Sequence, residues 1–363
     1  MIVGVLGGGQ LGRMLALAGY PLGLRFRFLD RAADATSGQV GELVVGDYED
    51  AAVLDRFAAG LTVATYEFEN VPVVAARRLA ERVPVFPAAR ALEVAQDRLA
   101  EKTLFGELGI PVAPFARVDT RADLEAAAGR LGLPAVLKTR RFGYDGKGQA
   151  VLREPGDVEA AWAHLGGVPL LLEGFVPFER ELSVLAARGR DGQTAFYPLV
   201  ENHHRDGILR KSLAPAPGLT PDLTAQAEAH AARVLDALGY AGVLAIELFQ
   251  EGGRLLANEL APRVHNSGHW TIEGAETSQF ENHLRAVLGL PLGSTAPRGV
   301  SAMLNLIGAT PDPAAVLAVP GAHVHLYGKA PAPGRKLGHL TLRADEPGDL
   351  RRLLASLERL PQE

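Results

Sequence analysis

The chain has 363 residues, 47% of them hydrophobic and 22% charged, with a net charge of −5 at neutral pH and no cysteine. This composition is too apolar for a disordered chain and offers no basic field that points to nucleic acid, and the lack of cysteine excludes disulfides, thiolate metal sites and cysteine nucleophiles. The length predicts about two to three domains. No apolar run reaches the roughly 20 residues a membrane span needs, and the chain opens as a strand and glycine loop rather than a signal peptide, so a cytoplasmic location is expected.

In chain order, Met1–Leu6, Leu24–Leu29, Leu43–Val45 and Leu61–Thr65 read as strands and Leu11–Ala18 as a helix. Together they predict an α/β domain with a mainly parallel sheet. Residues 88–109 read as one helix on 3.6-residue apolar spacing. Strands follow at Phe115–Val118, Ala135–Lys138, Gln149–Leu152 and Leu170–Glu173, with helices near Asp123–Leu131 and Val158–Leu165. Residues 181–188 and 194–200 predict an antiparallel pair, and Leu223–Leu238 a helix. Gly242–Phe249 and Arg254–Leu260 predict a hairpin turned at Gly252-Gly253. A helix near Ser278–Leu288, a linker from Pro291 to Pro297, mostly β structure over 300–345 and a helix over Leu350–Leu360 complete the chain.

Three segments carry chemistry. Gly7-Gly8-Gly9-Gln10-Leu11-Gly12, between a strand and a helix, fits G-x-G-x-x-G, with Asp30 at the end of the second strand. That context suits NAD or FAD, with Asp30 on a ribose hydroxyl, but equally any phosphate held by helix amides, or a plain tight turn. The segment from Lys138 to Gln149 holds Gly143, Gly146 and Gly148 between two strands, with cations on its flanks. A flexible glycine loop beside a strand-borne lysine suits ATP phosphates. Lysine is scarce, six of the 37 Lys+Arg residues, so Lys138 and Lys147 stand out. In the hairpin, Glu247 falls opposite Asn258 or Glu259; facing carboxylates repel unless a cation lies between them, and Mg²⁺ is the expected one. The loop that follows brings Arg263, His265, Asn266, Ser267 and His269, groups suited to an anion or to developing negative charge. A zinc site on His265 and His269 lacks a third ligand, and no G-x-S-x-G elbow supports a serine nucleophile.

The ordered set GGGQLGRM (7–14), TYEFENVP (65–72), KTRRFGYDGKGQ (138–149), YPLVENHHRDGILR (197–210), NELAPRVHNSGHWT (258–271) and HLYGK with GRKLGH (325–339) resembles the ATP-grasp superfamily. Within it, the chain is similar to the N(5)-carboxyaminoimidazole ribonucleotide synthetase family, across nearly its whole length. The resemblance implies an α/β fold, α+β in the centre: a preATP-grasp Rossmann-like domain over 1–90, an ATP-grasp domain over 91–292 with a mobile lid near 110–175, and a small β-rich domain over 293–363. It implies an ATP-dependent ligase of purine biosynthesis that carboxylates the exocyclic amine of 5-aminoimidazole ribonucleotide, through carboxyphosphate and CO₂, working as a homodimer. ATP, Mg²⁺ and bicarbonate are the implied cofactor and co-substrates.

Residue by residue, the resemblance places Arg98, Lys138, the lid loop Gly143, Tyr144, Asp145, Gly146, Lys147, Gly148 and Gln149, the hinge Glu173, Gly174, Phe175 and Val176, and Glu181, His204, Asn258 and Glu259 at the nucleotide. Glu247, Asn258 and Glu259 match metal ligands. Glu67, Tyr144, Arg263, His265 and Lys329 match positions around the bicarbonate and the aminoimidazole. Gly9, Gln10, Leu11, Asn266, Ser267, Arg335 and Lys336 fall to the ribonucleotide, its phosphate on the N-terminal loop. Asp30 then becomes an ordinary strand-end acid. The rival readings are a dinucleotide-dependent oxidoreductase, an ATP-grasp ligase with another acceptor, and a non-catalytic ATP-binding regulator; the paired glutamates argue against the last.

Overall fold

The computed structural model describes residues 1–143 and 146–357. The apolar N-terminal segments form β1 (Ile2–Leu6), β2 (Arg25–Asp30), β3 (Glu42–Val45) and β4 (Val63–Tyr66). They make a parallel sheet in the order β3-β2-β1-β4. β1 and β4 are almost wholly buried, because helices cover both faces. These helices include α1 (Gln10–Gly19), α2 (Ala51–Ala58) and α3 (Val73–Ala80).

The single helix expected over 88–109 is two, α4 (Ala89–Ala95) and α5 (Arg98–Glu107). Asp97 is extended and its side chain accepts from the Leu99 amide at 3.0 Å. The side chain therefore starts a new helix where apolar spacing alone predicts continuity. This break sets Arg98, Glu101 and Lys102 on the face of α5 that meets the central sheet.

A second, antiparallel sheet is ordered β5-β8-β6-β7, from β5 (Phe115–Val118), β6 (Ala135–Thr139), β7 (Gln149–Leu152) and β8 (Leu170–Gly174). Its inner face packs on α6 (Arg121–Leu131) and α7 (Asp157–Leu165) through Val118, Leu124, Leu137 and Leu172. Thr120 and Asp123 close α6 with a reciprocal capping box.

The third sheet is nine-stranded. It contains β9 (Arg180–Arg188), β10 (Thr194–Phe196), β11 (Val200–Arg205), β12 (Ile208–Ala214), β13 (Gly242–Glu251) and β14 (Arg254–Ala261). α8 (Pro221–Ala237) packs on it, and a short α9 (Thr271–Gly274) and α10 (Gln279–Leu288) follow. The expected 194–200 strand stops at Phe196, and residues 200–214 instead form a hairpin turned at Asp206-Gly207. Both turn residues have φ > 0, the signature of an Asp-Gly turn that the sequence reading did not use. The remaining elements are β15 (Val300–Ile307), α11 (Pro313–Leu317), β16 (Ala322–Leu326), β17 (Lys336–Ala344) and α12 (Pro347–Leu357). β15, β17 and β16 extend the same sheet beyond β12. The end of the helix expected to reach Leu360 lies outside the described residues.

Candidate active site

A cleft of about 670 Å³ lies where the three sheets meet. Its walls carry Gln10, Leu11 and Glu67 from the first sheet's loops, Arg98 from α5, Lys138, Gly143, Gly146, Lys147 and Gln149 from the second sheet and its β6–β7 loop, and Glu173, Gly174, Phe175 and Val176 from the hinge at the end of β8. The floor holds Glu181, His204, Glu247, Asn258, Glu259, Arg263, His265, Asn266 and Lys336. Tyr144 and Asp145 lie outside the described residues. Apolar side chains that the sequence reading missed make a slot at the hinge end: Val136, Leu209 and Leu260 line it, and Phe178 stacks on Phe249 at 4.6 Å. A planar base fits such a slot. Val136 lies two residues before Lys138 on β6 and Phe249 two after Glu247 on β13, so the period of two puts each on the face of its charged neighbour and could have flagged it.

The hairpin β13–β14 sets the acidic floor. Its two-residue turn pairs Glu251 with Arg254, but a bulge at Asn258 shifts the register so that Glu247 faces Glu259. Arg98 donates to Glu259 at 3.1 Å. Burial, and then Glu259, push the Glu247 carboxyl up, whereas the Arg98 charge holds Glu259 down against burial. Asn258 Oδ1 is buried and has no hydrogen-bond partner. Two facing carboxylates beside an orphaned amide oxygen are an oxygen donor set that fits Mg²⁺. Among the described residues, no group of three or more His, Cys, Asp or Glu is placed to hold a metal ion, so further oxygens must complete such a shell.

A buried polar chain orients His265. Ser212 donates to Asn202 Oδ1, Asn202 Nδ2 to Ser183 Oγ, and Ser183 to Ser267 Oγ at 2.7 Å. Ser267 has its own proton left for His265 Nδ1 at 2.9 Å, so the ring's proton sits on Nε2, 3.3 Å from Glu247. Burial, with Arg263 nearby, lowers the His265 pKa to about 3, keeping the ring neutral. Ser267 is thus wholly buried and holds His265; it does not face the cleft as a ribonucleotide contact. Elsewhere on the floor His204 bonds Glu181. Burial would lower the His204 pKa, but the bond to Glu181 and the charge of Glu247 raise it overall.

Lys138 donates to Glu173 at 2.9 Å, and the wholly buried Lys102 lies 3.5 Å from the same oxygen. Burial works against ionisation of Glu173, but the two ammonium groups prevail and hold it at about 2.

At the far end, Glu67 accepts from the Gly9 amide at 2.6 Å and the Gly12 amide at 2.9 Å. A Cβ at residue 9 would lie 2.4 Å from Glu67 Oε1, so any side chain there would push the carboxylate off these amides. The loop is therefore not the open phosphate cradle read from the sequence: a carboxylate already occupies these two helix amides. Gly9 lies behind Glu67, whereas Gln10 and Leu11 reach the cleft. Lys329 sits behind them and donates to Gln10. Arg335 is exposed and donates to the Ala330 carbonyl at 3.0 Å. Asp30 is more than an ordinary strand-end acid, since it accepts from the Gly8 amide at 2.7 Å and the Ala32 amide at 2.8 Å and closes the glycine loop. That role also removes it from a ribose. The missed Glu69 bonds Arg263, and the missed Glu101 accepts from the Leu260 amide at 2.5 Å.

Family models match three stretches: a ribonucleotide synthetase preATP-grasp domain over 1–96, an ATP-grasp domain over 103–280, and a phosphoribosylaminoimidazole carboxylase C-terminal domain over 301–353. The chain is 57% identical over 360 residues to the N5-carboxyaminoimidazole ribonucleotide synthase of Pseudomonas aeruginosa, covering 99% of both. It superposes on the crystal structure of N5-carboxyaminoimidazole ribonucleotide synthetase from Thermus thermophilus with TM-score 0.96 and 65% identity, covering 99% of both chains. It also superposes on the Aspergillus clavatus enzyme in complex with ADP and 5-aminoimidazole ribonucleotide, with TM-score 0.91, 33% identity and 99% of both chains covered. The chain belongs to the N5-carboxyaminoimidazole ribonucleotide synthase family of ATP-grasp enzymes.

Proposed function

We propose that this protein is an ATP-dependent ligase that carboxylates the exocyclic amine of 5-aminoimidazole ribonucleotide in purine biosynthesis. One observation carries the reading: a single cleft joins a nucleotide end to a second anion-binding end. At the first, Lys138, Lys147 and the hinge meet the apolar slot; at the second stand Gln10, Arg263, His265 and Lys336. Glu247 and Glu259 lie between the two ends, where phosphoryl transfer belongs. Bicarbonate attacks the terminal phosphorus of ATP, giving carboxyphosphate and ADP. Carboxyphosphate breaks its C–O bond to CO₂ and phosphate. The amine nitrogen attacks CO₂ and loses a proton, leaving the carbamate. Carboxyphosphate is short-lived in water, so the cleft must enclose it and hold the amine close.

Lys138 and Lys147 would face the phosphates, with the 143–149 loop excluding water. Arg263 would screen the bicarbonate-derived anion, and neutral His265 would donate from Nε2. Glu247, Asn258 and Glu259 would hold Mg²⁺, which neutralises phosphate charge when bound. Lys336, with Lys329 behind Gln10, would serve the ribonucleotide phosphate. The domain division at 1–90, 91–292 and 293–363 belongs to the same proposal; the first sheet lies within 1–90 and the second within 91–292, while the strands of 293–363 extend the third. Among the described residues no helix is long and apolar enough to cross a membrane. The homodimeric state and cytoplasmic location belong to the same proposal and rest on the family resemblance.

The test is phosphate release from ATP with Mg²⁺ and bicarbonate, with and without 5-aminoimidazole ribonucleotide. Strong stimulation by the ribonucleotide is expected. ATP binding without stimulation would keep the grasp and refute this acceptor.

A further inference from the structure

The Arg263 guanidinium is held from behind. Its Nε donates to Glu69 and one Nη1 proton to the Val264 carbonyl at 3.0 Å. Glu69 is itself fixed, because Gln96 Nε2 donates to the carbonyl of Glu69 at 2.8 Å and of Val71 at 2.6 Å. All three side chains border the cleft. Two other carboxylates compete for Arg263: the charges of Glu67 and Glu259 both act on it. An arginine turned toward either would neutralise a group with another task. Glu67 holds the amides of α1, and Glu259 forms half of the acidic pair.

We infer that Glu69 is a positioning residue. It fixes Nε of Arg263 while the Val264 carbonyl takes Nη1, so that the remaining Nη2 donors stay turned to the carboxyphosphate-forming end of the cleft. The planar guanidinium makes this possible, since bonding one edge fixes the direction of the other. Glu69 touches no reacting atom in this scheme and acts through Arg263, the group it bonds. The inference rests on the bicarbonate-dependent reaction proposed above.

The experiment compares wild type with E69Q, R263K and the double variant, measuring phosphate release at varied bicarbonate, ATP and ribonucleotide. E69Q is expected to raise the apparent KM for bicarbonate about tenfold while moving that for ATP by less than about twofold. In the R263K background, E69Q should add less than about twofold, because the two residues act as one unit. An E69Q effect equal on all three KM values, or fully additive with R263K, would overturn the assignment. If E69Q fails to fold, E69D keeps the charge but withdraws it by one methylene. Its KM for bicarbonate should then rise with the ATP value unchanged, and a wild-type profile would overturn the assignment. Wild-type phosphate release that is independent of bicarbonate would refute the underlying reaction, and the role of Glu69 would fall with it. That failure shows before any variant is made.

Discussion

The Glu67 carboxylate caps the start of α1 by accepting from the Gly9 amide at 2.6 Å, so the protein supplies its own anion to the glycine loop. Replacing Glu67 with Ala leaves the Gly9 and Gly12 amides without their acceptor. We expect a loss of about 1–3 kcal/mol in denaturant unfolding, from unmet donors beside a helix N-terminus. Turnover should fall as well. A variant as stable as wild type would mean that a phosphate or water replaces the carboxylate at no cost.

Glu247→Gln separates binding chemistry from folding. Without a cation, two cleft carboxylates face each other across β13–β14 and repel, so removing one charge should hold or raise the Tm of the ligand-free protein. Turnover should fall steeply, and the Mg²⁺ needed for half-maximal residual activity should rise by at least about tenfold. Near-normal activity at ordinary Mg²⁺ would remove the metal assignment. Glu259→Gln should behave similarly in turnover but destabilise the protein slightly, because Arg98 loses its partner at 3.1 Å.

Lys336→Ala is expected to raise the KM for the ribonucleotide far more than that for ATP. Lys336 borders the end of the cleft away from the hinge. Equal changes in both constants would place its role at the nucleotide instead.

Lys102→Met tests a buried charge. Lys102 is 1% exposed, and its Nζ lies 3.2 Å from the Ala257 carbonyl and 3.5 Å from Glu173. Breaking a buried ion pair commonly costs 3–5 kcal/mol, but Lys138 still bonds Glu173 at 2.9 Å, so about 2–3 kcal/mol is expected in urea unfolding. A loss under about 0.5 kcal/mol would show that Lys138 alone neutralises the carboxylate.

His283 predicts an acid limit to stability. It accepts from the Val243 amide on Nδ1 at 3.1 Å and faces the Thr65 hydroxyl with Nε2 at 2.9 Å, which requires the neutral ring. Burial lowers its pKa to about 4. The group is neutral in both states above its ordinary pKa of about 6.5, so its contribution is fully present there. As pH falls from about 6.5 to about 4 the unfolded state takes up the proton first, and that stability is lost. Tm measured across this window should fall less steeply in His283→Gln than in wild type. Parallel slopes would show that other groups set the acid limit.

Much of this molecule was legible as a string. The buried strands β1 and β4 announce themselves as short apolar runs, Gln149–Leu152 is placed to the residue, and the glycine and charge motifs fall together in one cleft. Local interactions decide such features, and the residues that make them are neighbours in sequence. Asp97 shows where local reading ended: its capping hydrogen bond splits a helix whose apolar spacing is continuous.

Glu247 marks the boundary best. The sequence determined that a glycine turn would bring it opposite Asn258 or Glu259, because the turn length fixes register to within one residue. A regular ladder from the Glu251–Arg254 pair would have chosen Asn258. The bulge chose Glu259, since one extra residue shifts every pair beyond it and turns two carboxylates toward each other. Likewise, Glu67 and Glu69 are two residues apart in one motif. Only the packing of the first sheet's loops against the central sheet gave one to the amides of α1 and the other to Arg263. Contacts between residues 55 and 194 positions apart depend on how whole sheets meet, which no local pattern encodes.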